Sequence, residues 1–236
     1  MLKMYHRQNS NGGSAAFWEE TWNDGGYEEA LRFCETDPLR VIFEQYAKAG
    51  SLMLEGGCGR GQYVSFYSRR GVDVVGLDFA CDTLSRLRER EEKLPLCGGN
   101  VAALPFRDQS FDVYFSNGVV EHFEDGAGDA LREAWRVLRP HGTFLVSVPY
   151  LSPLRRAASI VKKSDRRTVT VASPDGGQAK DDRVFFQYAY RPAEFERLLA
   201  DAGFRVLSTF GYSIVWGLYD LPFFDRAMHG LQGMRN

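Results

Sequence analysis

No uninterrupted run of 18 apolar residues occurs in the 236-residue chain, so a membrane-spanning helix is not expected. Cysteine is scarce: Cys34, Cys58, Cys81 and Cys97 form no C-x-x-C pair, which argues against a disulfide scaffold. Nor do the cysteines, four histidines and acids fall at ligand spacing, so no metal is implied. An excess of one charge is also missing. The net charge of −2 offers no overall attraction to nucleic acid or to a membrane. The opening residues show no secretory pattern, and with unpaired thiols this sets the expectation of a cytoplasmic protein. Internal repeats are absent. What remains is 44% hydrophobic and 25% charged, the composition of an ordinary globular chain long enough for one domain and a small insertion.

One stretch organises the rest. Leu52-Met53-Leu54 ends in Glu55, glycines fall at 57, 59 and 61, and a helix-compatible segment runs from Gln62 to Arg70. This reads as a buried strand, a tight turn and a helix start. Glycine opens backbone angles closed to other residues and lets a ligand approach the main chain. The helix start adds unpaired N–H groups and the positive end of a dipole. A dinucleotide fingerprint is excluded, because its third glycine would fall at Gln62 or Val64.

Asp73 to Asp78 reads as a second buried strand ending in an acid, 17 residues past Gly61. An acid near that offset accepts hydrogen bonds from a ribose diol, a pairing an amide does not reproduce. A charged helix from Asp82 to Lys93, capped by Asp82, and a short strand from Leu96 to Val101 follow. Strand four spans Asp112 to Gly118 and leads into Val119-Val120-Glu121-His122-Phe123. Ligands of open α/β sheets bind beyond the carboxyl ends of strands, which places Asn117, Gly118 and His122 near the reaction face. Among His6, His122, His141 and His229, His122 is the candidate base; the other reading is that it only shapes the pocket. His141 belongs to a turn at the opposite end of the sheet. A helix from Asp129 to Leu138 precedes strand five, Gly142 to Pro149. Five strand–helix alternations imply a parallel sheet with helices on both faces.

Glu55 followed by Gly57-x-Gly59-x-Gly61 resembles the first motif of class I S-adenosylmethionine-dependent methyltransferases. Leu104-Pro105-Phe106 and Ser110-Phe111-Asp112 resemble the ubiquinone/menaquinone-biosynthesis-type subgroup, and Val119 to His122 and Arg136 to Pro140 resemble further hallmarks of the family, although His141 stands where a glycine is usual. The resemblance covers Leu52 to Pro149 and resumes from Arg191 to Val206. It implies a Rossmann-like, doubly wound, mostly parallel sheet of about seven strands, with a lid inserted after strand five. S-adenosylmethionine is the implied cofactor. Glu55, Gly57, Cys58, Gly59 and Gly61 would lie beneath its methionine and ribose, Asp78 and Phe79 beside its ribose and base. Asn100 replaces an acid that takes the adenine amino group, the Val101 backbone meets the adenine edge, and Asn117 and Gly118 are cofactor-binding positions near the reaction face. The implied activity is in-line methyl transfer to a small-molecule acceptor, without a metal.

Outside these motifs the reading is coarser. Residues 1–36 form an N-terminal segment or cap, 37–150 the cofactor-binding core, 151–190 a lid, and 191–236 the end of the core with an apolar tail. Met1 to Ser14 are expected to be mobile. Phe17, Trp18 and Trp22 either cover a ligand pocket or pack on the domain surface. A helix is expected from Asp37 to Ala49. Leu151 to Lys163 has the spacing of a basic amphipathic helix, continued by Arg166 and Arg167. It is read as a solvated lid face or as a contact for an anionic membrane or a lipid-linked, quinone-like or glycosyl substrate. Arg167 to Ala172 and Arg183 to Tyr188 suggest a β-hairpin, whose Phe185, Phe186, Tyr188 and Tyr190 line a pocket or pin the lid. A proline-started helix at Arg191, a sixth strand at Phe204 to Leu207 and a last strand at Ile214 to Leu218 complete the core. The alternatives are a non-catalytic cofactor-binding module and, more weakly, RNA methylation through Arg155 to Arg167.

Overall fold

The computed structural model describes residues 1–7, 14–22, 26–157 and 183–212. Its elements, in chain order, are β1 (Leu2–Arg7), α1 (Ala15–Thr21), α2 (Tyr27–Phe33), α3 (Arg40–Tyr46), β2 (Leu52–Gly56), α4 (Gln62–Ser68), β3 (Asp73–Asp78), α5 (Cys81–Arg90) and β4 (Leu96–Gly98). Then come β5 (Phe111–Asn117), a 3-10 turn (Val120–His122), α6 (Gly128–Val137), β6 (Leu138–Ser147), β7 (Arg183–Ala189) and α7 (Pro192–Asp201).

Strands β4-β3-β2-β5-β6 form one parallel sheet in that order. The alternation of side chains along each strand makes two apolar faces. Met53, Val74, Val113 and Phe115 pack with Phe43 of α3, Val64 and Phe66 of α4 and Leu84 of α5. Leu54, Leu77 and Tyr114 pack on the other side with Leu131 and Val137 of α6 and Phe195 and Leu199 of α7. The chain moves outward from β2 to β3 and β4, then returns to place β5 on the other side of β2. The order therefore reverses between β2 and β5, and the crevice beyond their carboxyl ends is where open α/β sheets bind ligands.

Two of the sequence hallmarks have structural causes. The guanidinium of Arg136 bonds the carbonyls of Leu104 and Phe106 and the carboxylates of Asp108 and Glu133, fixing the turn that enters β5. Asp112 accepts the Leu52 N–H at 2.9 Å and the Arg139 guanidinium at 2.7 Å, tying the starts of β2, β5 and β6 together.

The periphery corrects several expectations. The expected seven strands do not form one sheet: among the described residues five are parallel, and β1 and β7 pair antiparallel as a separate ladder, Leu2 opposite Ala189 and Arg7 opposite Arg183. Leu2–Arg7 is thus a strand, where a mobile segment was expected. The β7 half of the expected hairpin pairs with the N-terminus; its other half, residues 167–172, lies outside the described residues. Residues 204–207 make no ladder, although Phe204 stacks on Phe144 at 5.0 Å and meets the edge of Trp135. Of the basic segment 151–157 are described, with helix at 153–157; residues 158–182, and the last strand and apolar tail from residue 213 on, lie outside. Pro192 opens α7, and the Glu194 side chain accepts the Arg191 N–H at 3.1 Å.

Between the Phe111–Leu138 and Val113–Thr143 pairings, β6 carries extra residues, and His141 there has φ 67°. That conformation is costly for a residue with a Cβ, which explains why glycine suits this position. His141→Gly is expected to stabilise the fold by up to about 1 kcal/mol, the strain relieved less the added chain entropy. Urea denaturation checks this; a less stable variant would show that the bulge carries no backbone strain.

Candidate cofactor and active site

The glycine turn is stitched to the end of β3. Gly57 and Cys58 both donate their N–H groups to the Leu77 carbonyl, at 2.7 and 2.9 Å. Gly59 donates to Asp78 Oδ2 at 2.7 Å, and Asp78 Oδ1 accepts the Ala80 N–H at 2.9 Å. Gly57, Gly59 and Gly61 all have positive φ. A Cβ at Gly61 would collide with Leu87, and one at Gly57 with Val119, so the turn is pressed between α5 and the segment after β5. The Cys58 side chain points away from the turn, toward Gly76 in the core, and burial pushes its thiol well up. Its contribution at the turn is main chain.

Two acids stand at this edge with little water. Asp78 is buried, and desolvation outweighs its backbone hydrogen bonds to raise its carboxyl. Glu55 is buried as well; burial and then the neighbouring Asp78 charge raise it well above the usual range, against one bond from the Val64 N–H. Its Oε2 has no partner. A buried carboxylate oxygen without a donor is costly, and a ligand carrying cationic or hydroxyl donors would satisfy it.

Phe79, next to Asp78, is 42% exposed. Across the edge, the Asn100 side-chain oxygen turns back onto the Ala102 N–H at 2.9 Å, and Val101 is buried. At the end of β5, Asn117 Oδ1 accepts from the Ser147 hydroxyl and from the Tyr212 hydroxyl, the latter at 2.8 Å, while Gly118 has φ 67°.

The N-terminal aromatics lie over this edge. The Trp22 indole stands 3.0 Å from where a Gly59 Cβ would be, and the Arg60 guanidinium lies over its ring. Trp18 stacks on Trp22 at 5.8 Å and meets His122 edge-on at 4.9 Å. Phe186 of β7 meets both His122 and Phe17. His122 Nδ1 is 2.7 Å from the Phe186 carbonyl, so it donates there, and the ring's tautomer and tilt are fixed. Phe185, Tyr188 and Tyr190 are buried in the core and pin β7; Phe186 is the member of that set on the reaction side.

Sequence reasoning brought Glu55, the glycine turn, Asp78, Asn117, Gly118 and His122 to one edge, where the structure also has them. Phe186 and Tyr190 were expected only to line a pocket or pin the lid, and the carboxyl of Glu121 was given no role of its own. The signal for Glu121 was present, an acid within the apolar run Val119 to Phe123. Among the described residues no group of His, Cys, Asp and Glu could hold a metal ion, and no helix is long and apolar enough to cross a membrane.

A glycine turn and two acids at the switch point of a doubly wound sheet define a site for a nucleoside-type cofactor. Residues 54–146 match the family model described as a methyltransferase domain. Over 192 residues the chain is 34% identical to a probable S-adenosylmethionine-dependent methyltransferase of Mycolicibacterium smegmatis, covering 80% of this chain and 65% of that protein. It is 36% identical over 121 residues to a malonyl-(acyl-carrier protein) O-methyltransferase of Yersinia pestis, covering 51% of this chain and 45% of that one. It thus spans less than two thirds of the length of either relative. A solved S-adenosylmethionine-dependent methyltransferase of Methanosarcina mazei superposes with a TM-score of 0.55 at 20% identity, covering 71% of this chain and 85% of that one, a likeness of fold. Residues 54–146 thus resemble a methyltransferase domain, and the cofactor that such a domain implies is S-adenosylmethionine.

One titration follows from the geometry. Burial moves the Glu121 carboxyl from an ordinary 4.5 up to about 8. A raised acid holds its proton more tightly folded than unfolded, so its stabilising effect is full below 4.5 and is lost as pH rises through about 8. Wild type is therefore expected to lose on the order of a few kcal/mol across that window that Glu121→Gln does not lose. Melting temperatures across the window check it; parallel curves would place the carboxyl in contact with water.

Proposed function

We propose that this chain transfers a methyl group from S-adenosylmethionine to a small-molecule acceptor by in-line displacement. The observation that carries this reading is the clamp of Asp78 on the glycine turn beside the unpartnered Glu55 oxygen, at the carboxyl edge where β2 and β5 part. Bound there, S-adenosylmethionine supplies an electrophilic methyl group on a cationic sulfur. Glu55, Gly57, Cys58, Gly59 and Gly61 would hold it from below. Asp78 keeps further lone pairs for ribose hydroxyls, and Phe79, Asn100 and Val101 would bracket the adenine. Asn117 and Gly118 would flank the reacting carbon.

The chain's own contribution is alignment and exclusion of water. Trp18, Trp22 and Phe186 form an apolar roof over the turn and His122. With Nδ1 donating to Phe186, the lone pair of His122 sits on Nε2, the orientation needed to take a proton from an oxygen or nitrogen acceptor. The Leu104-Pro105-Phe106 turn and Ser110-Phe111-Asp112 support a place in the ubiquinone/menaquinone-type subgroup, and with it a lipid-linked, quinone-like or other small acceptor. The Yersinia pestis relative, named as an O-methyltransferase of malonyl-(acyl-carrier protein), supports an oxygen acceptor.

Calorimetric titration with S-adenosylhomocysteine is expected to show binding by wild type, weakened about ten- to a hundredfold in Asp78→Ala, since hydrogen bonds to a charged group contribute ~1.5–3 kcal/mol. Undiminished affinity in a folded Asp78→Ala variant would sink the assignment of that acid.

A further inference from the structure

Glu121 is 2% exposed and its Oε2 has no hydrogen-bond partner. Its Oε1 lies 3.6 Å from where a Cβ on Gly118 would stand, directly beneath the turn that ends β5. Val119, between them in sequence, is the residue that presses on Gly57. The carboxyl therefore sits at the junction of the cofactor turn and the reaction face. Among the described residues it is faced by the Tyr190 hydroxyl, itself buried without a partner, and by Tyr212, held on Asn117; burial raises both phenols, and the charge of Glu121 adds to it. The neighbouring His122 donates Nδ1–H to Phe186. No arginine or lysine among the described residues bonds to Glu121, so the acid stands in a dry site with no counter-ion.

We propose that Glu121 senses charge in the cofactor site, its carboxylate favouring the cationic sulfonium of S-adenosylmethionine over the neutral thioether of S-adenosylhomocysteine. The inference rests on the function proposed above. A positive charge within a few ångströms favours the ionised form of an acid, and the low dielectric leaves that attraction poorly screened. By linkage, binding the cation drives a proton off Glu121, and the same coupling makes the spent, neutral cofactor the weaker ligand. Glu55 and Asp78 are buried at the same edge, and Asp37, also buried, acts on Tyr212. Glu55 and Asp78 would meet the ammonium and ribose groups common to both ligands, so the difference between the ligands isolates the sulfonium.

The test is calorimetric titration of wild type and Glu121→Gln with each ligand, without acceptor, near neutral pH in buffers of different ionisation enthalpy. Wild type is expected to release more protons on binding S-adenosylmethionine than on binding S-adenosylhomocysteine. In Glu121→Gln that excess should vanish, and the preference for the cationic ligand should shrink about tenfold, the equivalent of one pKa unit of coupling. Equal proton release with both ligands bound to wild type overturns the inference and leaves the methyltransferase reading standing. If neither ligand binds, that reading fails and takes the inference with it. Should the variant not fold, wild type alone decides: the excess must disappear at alkaline pH, where Glu121 is already ionised, and an excess that persists there overturns the inference.

Discussion

The structure depends on the way the turn after β2 is fastened to the end of β3. Leu77 offers one carbonyl to two successive N–H groups, and Asp78 offers one carboxylate oxygen to Gly59 and the other to Ala80. These bonds hold three left-handed glycines in a shape that no chain of ordinary residues keeps. They also draw the first turns of α4 and α5 toward one point, with Leu87 closing on Gly61. A buried charge is thereby held by backbone donors rather than by a counter-ion, an arrangement that fixes geometry at some cost in desolvation. The second acid, Glu55, is left with a buried oxygen that has no partner.

Around that clamp the molecule divides into a rigid part and a covering part. The rigid part is the five-stranded sheet with its two apolar layers, in which the inner strands β2, β3 and β5 bury both faces. The cover comes from segments far apart in sequence: α1, the 3-10 turn after β5, and β7, joined through Trp18, His122 and Phe186. The β1–β7 ladder brings the N-terminal strand and β7 together, and the Met1 ammonium pairs with Glu194 at the start of α7. An apolar roof over charged groups raises the strength of every electrostatic contact beneath it.

The sheet was legible in the sequence because each of its strands is a short apolar run bounded by a turn signal, and the acids at 55 and 78 mark where two of them end. The helices before and after the turn carried the right spacing, and their ends shifted by a few residues only: Asp82 to Lys93 became Cys81–Arg90, and Asp129 to Leu138 became Gly128–Val137. The periphery was less legible for a physical reason. Leu2–Arg7 has few apolar residues, and its strand exists through pairing with residues 183–189, a contact nearly the length of the chain away. The expected strand at Phe204 to Leu207 had the right residue types but packs through Phe204 alone. At the site, residue types revealed which groups gather at the edge. They did not reveal that Asp78 spends a bond from each oxygen on the backbone, that Asn100 folds onto Ala102, or that Glu121 lacks a partner.

A nucleoside-type cofactor is expected on the carboxyl edge between β2, β3 and β5. Amide hydrogen exchange with and without S-adenosylhomocysteine tests it most directly. The account requires added protection across Gly57 to Gly61, at Asp78 to Ala80 and around Asn117 and Gly118, with the amino ends of the same strands unchanged. Protection elsewhere, or none at saturating ligand, would contradict it.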